Sequence, residues 1–189
     1  MKYYRTEQYF LDGGWRGTWA MDGGGALMNL GIHGVSLMMY LMGPIKSIRA
    51  RVKTLAHNIE VEDTALAILE FESGALGSIT GTTSCAPGFD RRISIHGEKG
   101  SIILNEEEIE YWDVPGDEQA TGSTQGESTA SNPNALGNEM HARQLADFIE
   151  AVETGRDPVL SIREGRAPVE AILGIYESSR TGETIYFNK

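Results

Sequence analysis

Apolar and polar residues alternate with a period of two through the middle of the chain, which predicts β-strands. The first run is "IKSIRARV", and "TALAILEF" and "ALGSITGTTS" follow on either side of a Ser73-Gly74 turn. That pair predicts a β-hairpin. "RRISIHG", "SIILN" and residues 109–112 continue the alternation. The middle of the sequence therefore predicts a meander of antiparallel strands.

Apolar residues recur at helical spacing in two other segments. Residues 25–42 are apolar over most of their circumference and end before Gly43, which suits a helix cap. Residues 137–154 carry apolar side chains at intervals of three and four and stop at Gly155. Apolar side chains are almost absent between residues 114 and 135, so we expect a mobile surface loop there.

A last helix is predicted from its first residues. Ser161 and Glu164 form a capping box, and the helix extends to about residue 180. Pro168 lies inside this segment, so we expect the helix to begin late or to bend there. A short strand at residues 184–187 follows. This order predicts an α+β domain, in which helices pack on one face of a large, mainly antiparallel sheet.

The predicted sheet has apolar residues on both faces, because alternating positions such as Leu66, Ile68, Ile79 and Ile93 all carry apolar side chains. Helices are expected to cover only one of these faces. An open apolar face requires a partner surface. We therefore expect a homo-oligomer that forms through the open face of the sheet.

Composition narrows the class of protein further. A chain of 189 residues is expected to form one domain, residues 1–189, and its single cysteine, Cys85, has no internal partner for a disulfide. The net charge of -11 would repel nucleic acid. The sequence contains no apolar run of the roughly 20 residues that a membrane span needs, and no export signal. We expect a cytoplasmic protein that binds neither nucleic acid nor membrane.

Four polar residues lie on one face of the otherwise apolar segment 25–42. Asn29, His33, Ser36 and Tyr40 are separated by four, three and four residues, which places them along one stripe of a helix. His33 is interpretable as a core histidine bonded to a backbone carbonyl. The alternative is that it lines a cleft as a proton donor or acceptor. The pattern alone leaves both interpretations open.

Other candidate sites have weaker support. The remaining histidines show neither HExxH spacing nor cysteine neighbours, so no metal site is expected. The glycine-rich stretches match neither GxGxxG after a strand nor a P-loop, so no nucleotide-binding loop is predicted. The pair Glu62-Asp63 is interpreted as a solvated start of a strand, or as an ion-pair partner of an arginine such as Arg16, Arg91 or Arg92. Trp15 and Trp19 suit packing anchors better than platforms for a sugar.

Six segments together resemble a known family. The resemblance is to the C-terminal domain of the Gfo/Idh/MocA family of NAD(P)-dependent oxidoreductases, in which a glycine triplet precedes a D-x-G-x-H-x-x-D helix. It covers nearly the whole chain except residues 114–135. In order along the chain, the segments are "YYRTEQYF", "WRGTWAMDGGGALMNLGIHGVSLMMYLMGP", "EDTALAILEFESGALGSI", "IHGEKGSIIL", "FIEAVETGRDP" and "EGRAPVEAILGIYESS".

The resemblance implies a partner domain. Family members carry an N-terminal Rossmann domain of about this size, with the glycine-rich cofactor loop and a lysine in an E-K-P motif, and neither feature is in this sequence. Residues 1–5 are similar to the end of the strand that follows the Rossmann domain, so we expect the chain to start at a domain boundary. The full-length protein would bind NAD or NADP, and this chain would bind neither.

The resemblance also assigns roles to residues. His33 takes the position of the family histidine, as an acid/base or as the group that orients a substrate hydroxyl. Asn29 takes a position usually held by aspartate, and an amide cannot accept a proton. Ser36 replaces a second aspartate. The candidate substrate-binding residues are Asn29, Arg16, Trp19, Tyr9 and Arg91.

Three functions remain open from the sequence. The first is the substrate-binding and oligomerisation half of a dehydrogenase for a sugar, cyclitol or related polyol, inactive as an isolated chain. The second is a non-catalytic module that binds sugar or cofactor, which the residues at positions 29 and 36 keep open. The third is the NAD-dependent glycosidase branch of the same family.

Overall fold

The computed structural model describes residues 1–106, 108–116 and 139–187. These residues form four α-helices, one π-helical segment and nine strands. In chain order the elements are β1 (Lys2–Tyr4), α1 (Glu7–Leu11), the π-helical segment (Ala26–Gly31), α2 (Ile32–Met42), β2 (Ile45–Lys53), β3 (Thr64–Phe71), β4 (Leu76–Thr82), β5 (Ser84–Phe89), β6 (Arg92–Gly97), β7 (Gly100–Asn105), β8 (Glu108–Asp113), α3 (Glu139–Thr154), α4 (Ile162–Thr181) and β9 (Ile185–Tyr186).

The strands form two sheets. Six strands pair in the order β5-β1-β4-β3-β2-β9, and the other three pair in the order β6-β7-β8. The pairing of β1 with β4 is parallel, and every other pairing is antiparallel. The predicted α+β class and mainly antiparallel, mixed sheet are confirmed. The predicted continuous meander is wrong at one point, because β5 turns back to pair with β1 and β6 therefore begins a separate sheet.

The six-stranded sheet has one covered face and one open face. Along β3, Ala67 and Leu69 are buried, whereas Leu66 and Ile68 are 56% and 66% exposed. Helix α4 packs across β2 on the covered side and contacts α2. The core lies between these helices and the sheet, and its fully buried members include Leu27, Val35, Ile48, Leu69, Phe71, Ile172 and Ile175. The prediction that helices gather on one face is confirmed.

Local signals set the ends of several elements. Gly74 has a φ of 85° in the β3–β4 turn, which is the left-handed conformation that glycine adopts readily. Ser161 and Glu164 form the predicted capping box of α4. The expectation that α4 begins late is wrong, because the helix begins at Ile162 and continues through Pro168.

The predicted helix at residues 25–42 consists of two elements. Its first turn is the π-helical segment, and regular α-helix begins only at Ile32. The predicted loop lies outside the described residues from position 117 onward, as does the predicted start of α3. Within the described ranges, no helix combines the length and apolar character needed to cross a membrane.

Candidate functional site

A buried carboxylate holds the start of the π-helical segment in place. Glu62 is 2% exposed, and its side chain accepts the backbone N–H groups of Gly25 and Leu27, both at 2.9 Å. The hydroxyl of Tyr176, on α4, donates to the same carboxylate at 3.0 Å. The first N–H groups of a helix have no intrahelical acceptor. Glu62 therefore supplies an acceptor from a segment 37 residues further along the chain.

The glycine triplet makes this close approach possible. A Cβ at Gly25 would lie 1.8 Å from the backbone oxygen of Glu62, and a Cβ at Gly24 would lie 2.2 Å from the hydroxyl of Tyr176. Neither distance is compatible with a side chain. The last two glycines of the triplet, Gly24 and Gly25, thus allow the backbone to approach Glu62 and Tyr176 closely.

Burial changes the acid strength of this pair. Desolvation raises the pKa of Glu62, and the hydrogen bonds from Leu27 and Gly25 oppose that rise. Burial also raises the pKa of the Tyr176 hydroxyl, and the neighbouring charge of Glu62 adds to the effect. The sequence-based interpretation of Glu62 and Asp63 as a solvated strand entry is wrong, because Asp63 is fully buried as well. The alternative interpretation, an ion pair with an arginine, is also wrong, because the main partners of both carboxylates are backbone N–H groups.

The imidazole of His33 lies at the surface of the chain, one residue into α2. Its pKa is lowered by partial burial and then by the positive charge of Arg91, while the charge of Glu106 acts in the opposite direction. His33 is therefore mainly neutral at pH 7, with a ring nitrogen free to accept a proton. The interpretation as an enclosed core histidine does not fit this exposure.

Arg91 is held beside His33 by a carboxylate. Its guanidinium forms a 3.0 Å ion pair with Glu106, and its backbone N–H donates to the same side chain at 2.7 Å. The Arg91 side chain also packs against Gly34, where an added Cβ would lie 3.0 Å from its Cδ. Arg91 is thus close to the exposed histidine, but Glu106 compensates its charge.

Asn29 is oriented by a carboxylate that the sequence did not identify. Its amide Nδ2 donates to Asp22 Oδ1 at 2.6 Å, and Asp22 Oδ2 accepts the backbone N–H of Gly17 at 2.9 Å. Because the Nδ2 side of the amide faces Asp22, the Oδ1 atom of Asn29 is directed elsewhere as an acceptor. Asp22 precedes the glycine triplet by one residue, so its position next to "GGG" was the only sequence signal for it.

Arg16 and Tyr9 form a second group in the segment before the helix. The guanidinium of Arg16 lies over the Tyr9 ring at 4.4 Å and over the Trp15 ring at 5.1 Å. One of its terminal nitrogens donates to the backbone oxygen of Tyr9 at 3.2 Å. Its buried Nε has no hydrogen-bond acceptor among the residues that the structure describes. The structure therefore brings Arg16 and Tyr9 together, next to Gly17 and its bond to Asp22.

Trp19 is mainly an anchor of this segment. Its ring N–H donates to the backbone oxygen of Glu60 at 3.1 Å, and its backbone N–H donates to the Glu60 side chain at 3.0 Å. The ring packs edge-on against Tyr176 with centroids 5.3 Å apart, yet it remains 48% exposed. These contacts link the segment before the helix to the same tyrosine that holds Glu62.

Two residues of the predicted polar stripe are exposed to solvent on α2. Ser36 is exposed, and Tyr40 is 84% exposed on α2. Across residues 1–106, 108–116 and 139–187, no three His, Cys, Asp or Glu side chains cluster closely enough to hold a metal ion. The chemistry available at the candidate site is therefore that of an exposed neutral imidazole, an oriented amide and one or two guanidinium groups.

Comparisons with known proteins show that the chain is similar to a group of oxidoreductases. The sequence model of the GFO/IDH/MocA C-terminal domain matches residues 1–103. The myo-inositol 2-dehydrogenase of Thermotoga maritima is 28% identical over 152 residues, which cover 76% of this chain and 43% of that protein.

Two solved structures resemble the whole chain. The WlbA dehydrogenase of Bordetella pertussis, in complex with NADH and UDP-GlcNAcA, is 30% identical with a TM-score of 0.82, over 99% of this chain and 52% of that one. The WlbA dehydrogenase of Chromobacterium violaceum, in complex with the same two compounds, is 32% identical with a TM-score of 0.81, over 98% of this chain and 52% of that one. The chain spans about half the length of these relatives.

Proposed function

This chain belongs to the Gfo/Idh/MocA family, and from that premise we propose that it is the substrate-binding and oligomerisation half of an NAD(P)-dependent oxidoreductase. The proposed substrate is a sugar, a cyclitol or a related polyol, and the reaction takes place at a carbon that carries a hydroxyl group. The relatives that match the chain include two inositol dehydrogenases and a dehydrogenase solved with NADH and UDP-GlcNAcA. The observation that carries the proposal is the exposed, neutral imidazole of His33 on a helix whose start is fixed by Glu62.

In the proposed mechanism, His33 accepts the proton of the substrate hydroxyl. Its lowered pKa keeps the ring in the neutral form that this step requires. Asn29 cannot take a proton, but its Oδ1 can accept a hydrogen bond from a neighbouring hydroxyl while Asp22 holds its amide in place. This arrangement gives His33 the acid/base role and Asn29 a positioning role.

The cofactor is expected to bind outside this chain. When bound, NAD(P) supplies the hydride acceptor. In the described ranges the glycine triplet follows a loop rather than a strand, and the N–H of Gly25 already donates to the buried Glu62, unlike the N–H groups of a pyrophosphate-binding loop. We therefore assign cofactor binding to a separate Rossmann domain and derive no step of the mechanism from cofactor contacts here.

A surface of α3 supports such a partner domain. Leu145, Phe148, Ile149 and Val152 follow one another at helical spacing, and each is more than half exposed. A continuous apolar stripe on a helix is stable in water only when another surface covers it. We propose that the nucleotide-binding domain covers this stripe.

An anionic nucleotide sugar is favoured over a neutral cyclitol within this substrate class. The Bordetella and Chromobacterium dehydrogenases, solved with UDP-GlcNAcA, are more similar to the chain than the inositol dehydrogenase is. Arg16 supplies a cation next to Gly17, whose N–H donates to the Asp22 carboxylate that orients Asn29. A guanidinium suits a carboxylate or phosphate, and it offers little to a neutral ring.

The test compares the isolated chain with a protein that also contains the nucleotide-binding domain. Each is assayed for NADH formation with myo-inositol, a panel of other polyols, and UDP-GlcNAcA. We expect turnover only in the two-domain protein, with UDP-GlcNAcA as the better substrate and with its advantage lost in Arg16→Gln. NADH formation by the isolated chain would contradict the division of roles between the two domains.

A non-catalytic binding module is the second candidate function. The observation in its favour is that Asn29 is an amide paired with Asp22, where the family usually carries an aspartate. This candidate predicts that the two-domain protein binds UDP-GlcNAcA in a calorimetric titration but forms no NADH. Release of a chromogenic aglycone from a glycoside would instead identify the NAD-dependent glycosidase branch.

A further inference from the structure

The connection between β2 and β3, residues 54–63, is shaped by the carboxylate of Asp63. That carboxylate is fully buried, and it accepts the backbone N–H groups of Leu55, Ala56 and His57 at 2.7–3.0 Å. Hydrogen bonds to a charged acceptor are among the stronger ones in proteins. Because three consecutive N–H groups converge on one buried anion, the backbone of the connection has a fixed shape.

The side chain of His57 joins this connection to residues 5–22. It is 7% exposed, and its Nε2 lies 2.9 Å from the backbone oxygen of Arg5. A carbonyl oxygen only accepts hydrogen bonds, so Nε2 carries a proton and donates it. The other ring nitrogen, Nδ1, lies 3.3 Å from Asp63, and the ring packs against Phe10 with centroids 4.8 Å apart. His57 therefore contacts the connection and residues 5–22 at once.

Phe10 extends this contact towards the residues that are proposed to bind the substrate. Its ring packs edge-on against Tyr9 with centroids 5.2 Å apart. It also lies beside Gly17, where an added Cβ would be 3.4 Å from the Phe10 ring. The guanidinium of Arg16, the residue before Gly17, lies over the Tyr9 ring at 4.4 Å. Phe10 is thus packed between His57 and the pair formed by Tyr9 and Arg16.

The far end of the connection holds Gly17 directly. The N–H of Glu60 donates to the oxygen of Gly17 at 2.9 Å. A Cβ at Gly17 would lie 2.8 Å from the Ile59 side chain, and the φ of 74° there also favours glycine. The ring N–H of Trp19 donates to the oxygen of Glu60 at 3.1 Å. The connection therefore supports residues 5–22 both before and after Arg16 in the sequence.

Residues 5–22 need such support because they contain little regular structure. Helix α1 has five residues, and turns follow it. A helix of this length is not stable by itself in water. The conformation of residues 5–22 is therefore set by the surfaces against which they pack.

We propose that His57 is a positioning residue for substrate binding. Through Arg5 and Phe10, it fixes residues 5–22 in the conformation from which Arg16 binds the charged group of the substrate. The role of Arg16 in this statement rests on the proposed function. A histidine suits the task, because its two ring nitrogens reach partners in different directions while its ring packs against an aromatic side chain.

The variants separate the hydrogen bond of His57 from the space that its ring fills. His57→Leu keeps an apolar side chain against Phe10 but removes the donor to the oxygen of Arg5. His57→Gln keeps an N–H donor on a side chain of similar reach. Ile172→Ala is the stability control, because Ile172 is fully buried in the core between the helices and the sheet.

The first measurement is amide hydrogen exchange in the protein that also contains the nucleotide-binding domain. We expect His57→Leu to speed exchange of the Glu60 N–H by about tenfold or more relative to β3, because that N–H donates to Gly17 and reports local opening. His57→Gln should restore most of the protection, and Ile172→Ala should leave the ratio of Glu60 to β3 exchange unchanged. An unchanged ratio in His57→Leu would overturn the proposal.

The second measurement is the dissociation constant of UDP-GlcNAcA, from calorimetric titration of the same two-domain proteins. We expect His57→Leu to weaken binding by about tenfold, and to have almost no further effect when Arg16→Gln is already present, because the two residues act as a unit. His57→Gln should bind nearly as well as the unmodified protein. Equal weakening by His57→Leu with and without Arg16→Gln, or equal weakening in Ile172→Ala, would overturn the proposal.

The two measurements also separate this proposal from the proposed function. If the unmodified two-domain protein does not bind UDP-GlcNAcA, the proposed substrate is wrong. The exchange of the Glu60 N–H in His57→Leu then decides by itself whether His57 fixes residues 5–22.

Discussion

At the scale of single residues, the charge on His33 depends on its neighbour Arg91. The positive charge of Arg91 lowers the pKa of His33, after the larger effect of partial burial. Replacement of Arg91 by glutamine removes that charge and leaves Glu106, which favours the protonated ring. We expect the pKa of His33 to rise in Arg91→Gln. The measurement is an NMR titration that follows the chemical shifts of the histidine ring protons. The His33 signals are assigned by their loss in His33→Gln.

Arg92→Gln is the matched control for this titration. Arg92 is adjacent in sequence, but its guanidinium is 54% exposed and pairs with Glu110 at 2.9 Å. It is not among the charges that act on His33. An equal rise of the His33 pKa in both variants would show that Arg91 has no particular influence on the ring.

Asp63 is a second residue with a testable charge. Burial alone would raise its pKa, but the N–H groups of Ala56, Leu55 and His57 outweigh burial and leave the pKa lowered. The folded protein therefore releases this proton more readily than the unfolded chain does. Its stabilising effect is present at neutral pH and is lost as the pH falls through the folded-state pKa, below the ordinary value of 3.8.

Asp63→Asn is accordingly expected to lower the free energy of unfolding at pH 7 by roughly 2–4 kcal/mol, because an amide cannot accept so many N–H groups at once. The stability of the variant should also decrease less than that of the unmodified protein when the pH is lowered. Urea unfolding at several pH values measures both effects. The exposed Asp113→Asn serves as control, and equal losses in the two variants would refute this account of Asp63.

At the scale of elements, the position of the site helix depends on the bond between Tyr176 and Glu62. Tyr176→Phe removes the hydroxyl that donates to the buried carboxylate. We expect a loss of about 1–2 kcal/mol in the free energy of unfolding. Tyr111→Phe removes a bond between exposed residues and should change stability little. Equal effects of the two substitutions would mean that the Glu62 contact does not fix the helix.

Because the pKa of Glu62 is raised, the effect of Tyr176→Phe on stability is expected to depend on pH. Between its ordinary value of 4.5 and its higher folded-state value, the folded protein keeps a proton that the unfolded chain has lost. The contribution of Glu62 to stability therefore decreases as the pH rises through this window. Tyr176→Phe removes a donor that favours the carboxylate, so it should make that decrease steeper.

The sequence predicts most of the elements but not this anchor. Strands β2 to β4 follow from the alternation of apolar residues, because each strand has one covered face. Glu62 and Asp63 look like a solvated pair, since adjacent acids are rarely buried. Glu62 can be buried because Gly25, 37 residues earlier, lets backbone N–H groups reach it, whereas Asp63 is held by the N–H groups of Leu55, Ala56 and His57. Contacts between such distant segments leave no periodic signal in the sequence.

The candidate site was predictable only where the family pattern includes it. The pattern identifies His33 and the change to Asn29, but it does not indicate that Asp22 binds the amide of Asn29. It also gives no indication that Glu106 neutralises Arg91. Partners of this kind are set by how loops and strands pack, and no local spacing encodes them. The sequence also did not predict the π-helical first turn, because the spacing of apolar residues is similar in α-helices and π-helices.

At the scale of the whole molecule, the open face of the six-stranded sheet is the proposed contact between copies of the chain. Leu66 and Ile68 are exposed there, together with Phe89 on β5 at 53%. We expect Ile68→Glu to shift the protein to a monomer, because a carboxylate in an apolar interface is costly. Sedimentation at micromolar concentration measures the change. Leu173→Glu, on the outer side of α4, is the control, and a monomeric unmodified protein would contradict the proposal.

The central claim is that His33 becomes an acid/base group when a nucleotide-binding domain completes the site. The most direct measurement is the steady-state rate of NADH formation by the two-domain protein and by its His33→Gln variant, with unfolding midpoints compared to confirm an intact fold. We predict that kcat falls by about 10²-fold or more, as expected for loss of a general base, while KM changes by less than about threefold. A His33→Gln variant that keeps kcat within about threefold of the unmodified enzyme would contradict the account.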